Sequence, residues 1–178
     1  GVTWTARTHA VTGAVAVGWD PVNAIFVIAG GTTNDQYSSD GITWTSGATS
    51  SLFSPACVVA KNGGGFVEGG SNGYVGQSSD GHTSWTEVTA ANPSSSTVHD
   101  IVYSANLGLY ITAEAGGSNS GSSTSSNLTS WTAQAGLNKS NTWVGLALDD
   151  SDTYTNNLSV THTASNTFST ASSGTVAY

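Results

Sequence analysis

The chain has 178 residues, of which 37% are hydrophobic, and this length is enough for one domain with a hydrophobic core. Its 11 acidic residues outnumber its three Lys and Arg residues, and the net charge of −8 excludes the basic face that nucleic-acid binding requires. Only 8% of the residues are charged, so solubility depends on Ser, Thr, Asn and Gly, as we expect of a virion or extracellular protein.

The apolar segments and the single cysteine further limit the class of protein to which the chain can belong. No apolar run approaches the ~20 residues that a membrane-spanning helix needs, so membrane insertion is not expected. Cys57 cannot form an internal disulfide, and its apolar neighbours predict a buried thiol. The chain begins without Met and in the middle of a motif, which indicates a processed piece or a fragment of a longer chain.

The first repeat unit shows four strand signals in succession. An apolar run at 14–17 is followed by a turn at Asp20–Asn23 and by a second apolar run at 24–29. A Gly pair ends that run, a short strand then leads to Tyr37, and Trp44 opens the last strand. Runs of β-branched and aromatic residues between Gly, Pro, Asn and Asp clusters predict strands, whereas no sustained 3.6-residue period predicts a helix.

The same order of signals returns along the rest of the chain. Four units are therefore expected, at residues 7–46, 47–88, 89–133 and 134–178, the last completed by residues 1–6. In the third unit, the signal for the third strand is weak and falls in the Ser-rich stretch 118–126, for which a loop is the alternative structure. Either the N-terminal strand Val2–Ala6 completes the fourth unit and closes a ring, or the chain was cut at one phase of a longer array.

A polar turn that leads into a tryptophan recurs in the units. The tryptophans at 4, 44, 85 and 131 are about 40–46 residues apart, a period that indicates a repeat architecture. The residues assigned to these turns are Ser38, Asp40, Gly41 and Trp44; Ser78, Asp80, Gly81 and Trp85; Ser125, Asn127 and Trp131; and Trp4 from an incomplete copy. Four radially repeated units of four antiparallel strands predict an all-β fold, a β-propeller of about four blades.

The turn residues have a structural explanation. Asp and Ser side chains accept hydrogen bonds from backbone N–H groups two residues further on, and Gly adopts positive φ without steric cost. Asp40 and Asp80 are therefore expected to lock the connection between the third and fourth strands. Trp44, Trp85 and Trp131 are expected to wedge between neighbouring sheets, where each buries a large apolar surface.

The Ser-x-Asp-Gly…Trp turns, together with the Gly-x-Phe-Val-like strands before them, resemble the BNR or Asp-box repeat family. The resemblance covers nearly the whole chain, although Asn127 replaces the Asp in one copy and His82 replaces a later Gly in another. It implies a propeller like those of sialidase-like proteins and of many bacteriophage tail and virion proteins. In that family the Asp turns lie away from the active site.

Catalytic chemistry has few candidates in this sequence. A sialidase needs three Arg residues to hold the substrate carboxylate, and this chain has only Arg7. A glycosidase needs two carboxylates about 5–10 Å apart, for which Glu68, Glu87 and Glu114 are candidates by residue type. Glu68 and Glu114 are predicted at similar places in their units, which repetition explains without chemistry. We therefore expect no enzymatic activity.

Metal binding is weakly indicated. Asp149, Asp150 and Asp152 form the densest acidic cluster, which is either a solvated hairpin turn or a weak Ca²⁺ site. The four histidines are scattered one to a unit and lack the short spacing of zinc ligands. No cofactor is expected otherwise.

These observations favour a non-enzymatic structural or recognition module, and the resemblance implies a bacteriophage virion component in the tail, fibre or capsid decoration. Its partners would be other virion or surface subunits, and its location the virion or the extracellular space. A carbohydrate-binding propeller is the first alternative, with Trp19, Trp143 or Tyr154 as the exposed aromatic residue. A glycosidase-like propeller that lacks some of its blades is the second.

Overall fold

The computed structural model describes residues 3–30, 34–48, 54–88, 96–115, 121–134 and 145–146. Within these ranges the chain forms three antiparallel sheets of four strands each, and the strands of each sheet are paired in sequence order. A short 3₁₀ turn at Ser71–Gly73 is the helical segment of this part of the chain. None of the described helical structure is long and apolar enough to cross a membrane.

Each sheet is called a blade here. Blade one consists of β1 (Ala14–Asp20), β2 (Ile25–Gly30), β3 (Gln36–Ser38) and β4 (Thr45–Ser46). Blade two consists of β5 (Pro55–Ala60), β6 (Phe66–Gly70), β7 (Val75–Ser78) and β8 (Thr86–Glu87). Blade three consists of β9 (Val98–Ser104), β10 (Leu109–Glu114), β11 (Ser123–Ser125) and β12 (Thr132–Ala133). The Ser-rich stretch of the third unit therefore contains a true strand, β11.

The strand registers make residues of different blades directly comparable. Phe26, Phe66 and Tyr110 occupy the same place, because each lies opposite the Ser that begins the following turn. In the first strand of each blade, Trp19, Ala60 and Tyr103 pair with these three residues. Position-by-position differences between blades can therefore be read as differences in chemistry rather than in backbone.

The hydrophobic core lies between blades. Val27 and Ala29 of blade one pack against Val58 and Phe66 of blade two. A second cluster joins blades two and three and contains Cys57, Val67, Val75, Val98, Ile101, Tyr110 and Leu128. Cys57 is 5% exposed, which confirms the prediction of a buried thiol. Because β5 contacts both β1 and β9, the first strands of the three blades lie side by side, as the innermost strands of a β-propeller do.

The chain ends differ in part from expectation. Residues 3–11 have no strand assignment and Trp4 is 89% exposed, whereas the sequence predicted that Val2–Ala6 would pair with the fourth unit. Most of the fourth unit lies outside the described residues. At its described part, the Leu146 N–H donates to Asp100 Oδ2 in β9 at 2.8 Å.

Candidate functional site

The first polar turn is closed by its own side chains. Asp40 Oδ1 accepts from the backbone N–H groups of Ile42 and Thr43, both at 2.7 Å. The Ser38 hydroxyl accepts from the N–H of Gly41 at 2.9 Å and donates to Asp40 Oδ1 at 2.9 Å. The N–H groups of Thr43 and Ile42 favour the ionised carboxylate and lower the pKa of Asp40 to about 2.

The second and third turns repeat this arrangement. Asp80 Oδ1 accepts from the N–H groups of His82 at 3.0 Å and Thr83 at 2.9 Å. In the third turn Asn127 Oδ1 accepts from Thr129 at 2.9 Å and Ser130 at 3.0 Å. The amide oxygen of Asn127 thus replaces a carboxylate oxygen, and the turn keeps its geometry without the negative charge.

The residue after the Asp or Asn has positive φ in all three turns. Gly41 has φ of 69°, Gly81 of 74° and Leu128 of 63°. A leucine in this conformation is unfavourable for its backbone, yet the Leu128 side chain is only 3% exposed and belongs to the core between blades two and three. Burial of the side chain therefore compensates the backbone cost at this turn.

The tryptophans after the turns do not behave alike. Trp85 and Trp131 are half-buried and pack against the cores on either side of blade two, and Trp44 is half-buried as well. Trp4 has no such environment, because it is almost fully exposed. The assignment of Trp4 to a fourth turn is therefore not supported by its surroundings in the structure.

Removal of one turn carboxylate gives a direct test of its role. Partial burial acts to raise the pKa of Asp80, but hydrogen bonds from Thr83 and His82 outweigh this effect and hold the pKa below its usual range. We expect Asp80→Ala to lower the free energy of unfolding by about 1–2 kcal/mol, since two backbone N–H groups lose their acceptor. Asp80→Asn should cost clearly less, because Asn127 serves the same purpose; urea titrations at neutral pH compare the two, and equal losses would contradict the explanation. The contribution of Asp80 should disappear as the pH falls below about 4.

A buried pair of carboxyl groups joins blades one and two. Glu68 is 0% exposed and Asp35 is 1% exposed, and their carboxyl groups interact with each other. Both oxygens of Glu68 lack a hydrogen-bond donor among the described residues. Burial, followed by the charge of Asp35, raises the pKa of Glu68, and burial raises the pKa of Asp35. Glu68, whose pKa is raised further than that of Asp35, is therefore the member of the pair that keeps its proton at neutral pH.

The surroundings of this pair are partly polar. The Gly30 N–H and the Trp85 indole N–H both favour the ionised form of Asp35. The Trp85 indole nevertheless makes no hydrogen bond of ordinary geometry. In the next interface the same two positions are held by Val75 and Thr112, so the acidic pair is peculiar to blades one and two.

The predicted equivalence of Glu68 and Glu114 is wrong. Glu68 follows Phe66 by two residues, and Thr112 follows Tyr110 by two residues. Thr112 is therefore the equivalent of Glu68, and Glu114 lies two residues further along its strand. Glu114 is 1% exposed, and its Oε1 accepts from the Thr112 hydroxyl at 2.7 Å. Thr112 in turn accepts from the Ser123 N–H at 2.8 Å, so Glu114 belongs to a buried network within blade three.

Another buried acid ties the hairpin of blade one to blade two. Asp20 Oδ2 accepts from the Gly65 N–H and from the Asn23 side chain, both at 2.6 Å, and Oδ1 accepts from the Val22 N–H at 2.8 Å. Burial acts to raise the pKa of Asp20, but the hydrogen bonds from Gly65, Val22 and Asn23 lower it overall. The sequence placed Asp20 in a turn but gave no sign of this contact between blades.

A polar cleft of about 280 Å³ opens between blades two and three beside the third turn. It is lined among others by Lys61, Asn62, Tyr103, Tyr110 and Asn127. The Asn62 N–H donates to the Tyr110 hydroxyl at 2.9 Å, and the Asn62 side chain donates to the Tyr103 hydroxyl at 2.8 Å. A second depression, of about 290 Å³, adjoins it and shares the Lys61 wall. Sequence reasoning missed this cleft because its residues come from two units.

The candidate metal site cannot be compared with the structure. Asp149, Asp150 and Asp152 lie outside the described residues, as do Trp143 and Tyr154. Within the described ranges no three His, Cys, Asp or Glu side chains are grouped to hold a metal ion. Trp19 is 42% exposed, and its ring lies 4.3 Å from that of Phe26, so one candidate aromatic platform is accessible.

Comparisons with known proteins bear on the fold. No family model and no curated protein matches the chain. Among solved structures the chain is similar to YCF48 bound to D1 peptide, with a TM-score of 0.57 and 18% sequence identity. The alignment covers 82% of this chain and 49% of the YCF48 chain, so this chain spans about half the length of that structure. YCF48 is a β-propeller, and the similarity, with the three sheets, shows that this chain has the β-propeller fold.

Proposed function

We propose that this chain is a non-enzymatic recognition module, a rigid propeller that presents its polar turns to a protein partner. The setting we propose is a bacteriophage virion, in the tail, fibre or capsid decoration. The virion setting is supported by the resemblance of the Ser-x-Asp-Gly…Trp turns to repeats of phage propellers. The net charge of −8 and the scarcity of charged residues are consistent with a surface component.

One observation carries the recognition part of the proposal. The acidic side chains that a hydrolase would need are used by the fold: Asp40 and Asp80 bind backbone N–H groups, and Asp20 links two blades. Glu68 and Glu114, the candidate catalytic pair, are buried. The rigid interblade packing leaves binding at the rim as the activity that this arrangement supports best.

The kind of partner is supported by a structural neighbour. YCF48, which shares the propeller fold, is bound to a peptide in its solved structure. A propeller of this kind can therefore present a peptide-sized surface, and we extend that property to this chain as part of the proposal.

An antibody raised against the chain tests the virion setting. It should label intact phage particles purified from the source culture, and mass spectrometry should find the chain in those particles after density-gradient purification. Label that stays with host-cell debris and is missing from particles would reject this setting. Hydrolysis of an aryl glycoside that is abolished by Glu68→Gln would reject the non-enzymatic part.

A carbohydrate-binding propeller is the second candidate, because the Trp19 ring is accessible beside Phe26. Aromatic faces of this kind stack on sugar rings. A glycan array should then give signals that are lost in Trp19→Ala and kept in Trp44→Phe. A blank array would remove this candidate.

A further inference from the structure

The cleft between blades two and three gathers hydrogen-bond donors in an acidic protein. Lys61, at its wall, forms no ion pair within the described ranges, although acidic residues outnumber basic ones in the chain. Its ammonium group offers three donors. An uncompensated cation beside an otherwise uncharged cleft favours an anionic group on the ligand.

The two tyrosine hydroxyls add to this donor set. Each hydroxyl already accepts a hydrogen bond from Asn62, so its own proton is available to a ligand. Burial raises the pKa of Tyr110, which keeps its hydroxyl protonated near neutral pH. The rings of Tyr103 and Tyr110 lie 4.7 Å apart, so each holds the other in place. The hydroxyls are thus fixed by the protein before any ligand arrives.

Asn127 completes this set of hydrogen-bond donors, because the other two turns have an aspartate at its position. Its Oδ1 is occupied by the N–H groups of Thr129 and Ser130, which fixes the orientation of the amide. The Nδ2 group makes no hydrogen bond within the described part of the chain, and Asn127 is one of the residues that line the cleft. In the turns of blades one and two the same position carries a carboxylate, Asp40 or Asp80, which would repel an anion.

The corresponding place between blades one and two has the opposite chemistry. By strand register, Asp20 is equivalent to Lys61, and Ala60 and Phe66 are equivalent to Tyr103 and Tyr110. Asp80 stands there in place of Asn127. Repetition of the fold therefore does not explain the donor set, because the equivalent interface has two acids and no hydroxyl at these positions.

We propose that this cleft binds a saccharide residue that carries one carboxylate. The carboxylate would be held by Lys61, the two tyrosine hydroxyls and the Asn127 amide. The amide side chains of Asn62 and Gln77 offer the mixed donors and acceptors that sugar hydroxyls require. The net charge of −8 disfavours polyanions, so a single acidic sugar in an otherwise neutral glycan is the best fit. A peptide would require an accessible apolar anchor, and the apolar Leu128 in this wall is buried.

Two methyl glycosides that differ only in the carboxylate provide the test. Titration of the whole ¹⁵N-labelled chain, followed by NMR, should give a millimolar dissociation constant for methyl glucuronoside and binding about tenfold or more weaker for methyl glucoside. Lys61→Met and Asn127→Asp should each lower the affinity for the glucuronoside by about tenfold or more. Asn127→Asp should fold normally, since the other turns carry Asp.

Asn106→Asp is the matched control, because it adds the same charge at an exposed turn that is not part of the cleft wall. It should bind the glucuronoside as the parent chain does. Equal affinity for the two glycosides, unchanged binding in Lys61→Met and Asn127→Asp, or no binding at about 10 mM would overturn the proposal. N-acetylglutamate that binds as tightly as the glucuronoside would overturn the saccharide assignment. The inference rests on the recognition role alone, so labelling of virions tests the setting separately.

Discussion

Replacement of Gly81 by alanine should lower the free energy of unfolding by about 3 kcal/mol or more, whereas the same change at Gly41 should cost about 1–2 kcal/mol. The two glycines occupy the same place in their turns and have nearly the same φ, 74° and 69°. The backbone cost of a Cβ atom is therefore common to both. The difference comes from what each Cβ would meet.

At Gly81 the added Cβ would overlap with Val27 Cγ2 and would lie 2.6 Å from Phe66 Cδ2. Both neighbours are 0% exposed, so neither can move without disturbing the core between blades one and two. At Gly41 the nearest atom is Phe26 Cε2, at an ordinary 3.7 Å. Overpacking a tight core adds about 1–3 kcal/mol to the backbone cost, and this applies at Gly81 alone.

Urea unfolding of the two variants, followed by tryptophan fluorescence, measures the contrast. Similar losses in Gly41→Ala and Gly81→Ala would show that backbone conformation alone decides the cost, and would contradict the packing described for Phe66. The third turn has a non-glycine residue, Leu128, at the equivalent position. Leu128 has φ of 63°, and its side chain is buried in the neighbouring core. Gly41 and Gly81 therefore have the same turn conformation and differ in the packing around them.

Local features were predictable from the sequence. The turns at Asp40 and Asp80 are formed by hydrogen bonds that span two or three residues, so the motif contains all that the turn needs. The strands follow equally from short apolar runs bounded by turn residues. The third turn keeps the same geometry because the Asn127 oxygen accepts the same hydrogen bonds.

Features that join different units were not predictable. Asp35 and Glu68 are 33 residues apart, and nothing near either residue in the chain indicates the other. The Lys61 cleft needs Tyr103 and Asn127 from the next blade. The equivalence of Glu68 and Glu114 failed because it depended on strand register, which the order of signals leaves open by two residues.

The Asp35–Glu68 pair should make the chain less stable as the pH rises. Both carboxyl groups have raised pKa values in the folded chain, chiefly because of burial. Above about pH 4 the unfolded chain has released protons that the folded chain still holds. Each retained proton should lower the free energy of unfolding by about 1.4 kcal/mol per pH unit until the raised pKa is reached.

Other titrating groups affect the stability of the chain in a different pH range. Asp40 and Asp80 have lowered pKa values, so their contribution is lost only as the pH falls below about 4. Burial raises the pKa of Cys57 to about 12, so this neighbouring thiol stays neutral over the relevant range. These opposite trends meet near about pH 4, where the expected stability maximum lies.

Two variants isolate the pair from the rest of the chain. Glu68→Gln keeps the size of the side chain and gives Asp35 an N–H donor that does not titrate. The double variant Asp35→Val, Glu68→Thr introduces the residues that blades two and three already use, Val75 and Thr112. The double variant should lose the downward slope, so that its advantage over the parent chain grows by several kcal/mol towards about pH 8. Glu68→Gln should keep the slope only up to about pH 6, where Asp35, whose pKa is raised by its own burial, becomes ionised.

Equilibrium urea unfolding at half-unit pH intervals gives the slopes for all three chains. Val75→Ala is a useful control, because it changes the position equivalent to Asp35 in the other interface and should shift the curve without altering its slope. Parallel curves for the parent chain and Glu68→Gln above about pH 6 would show that Glu68 ionises normally in the folded state. Burial of the charged Glu68 would then have to be compensated by a group other than its own proton.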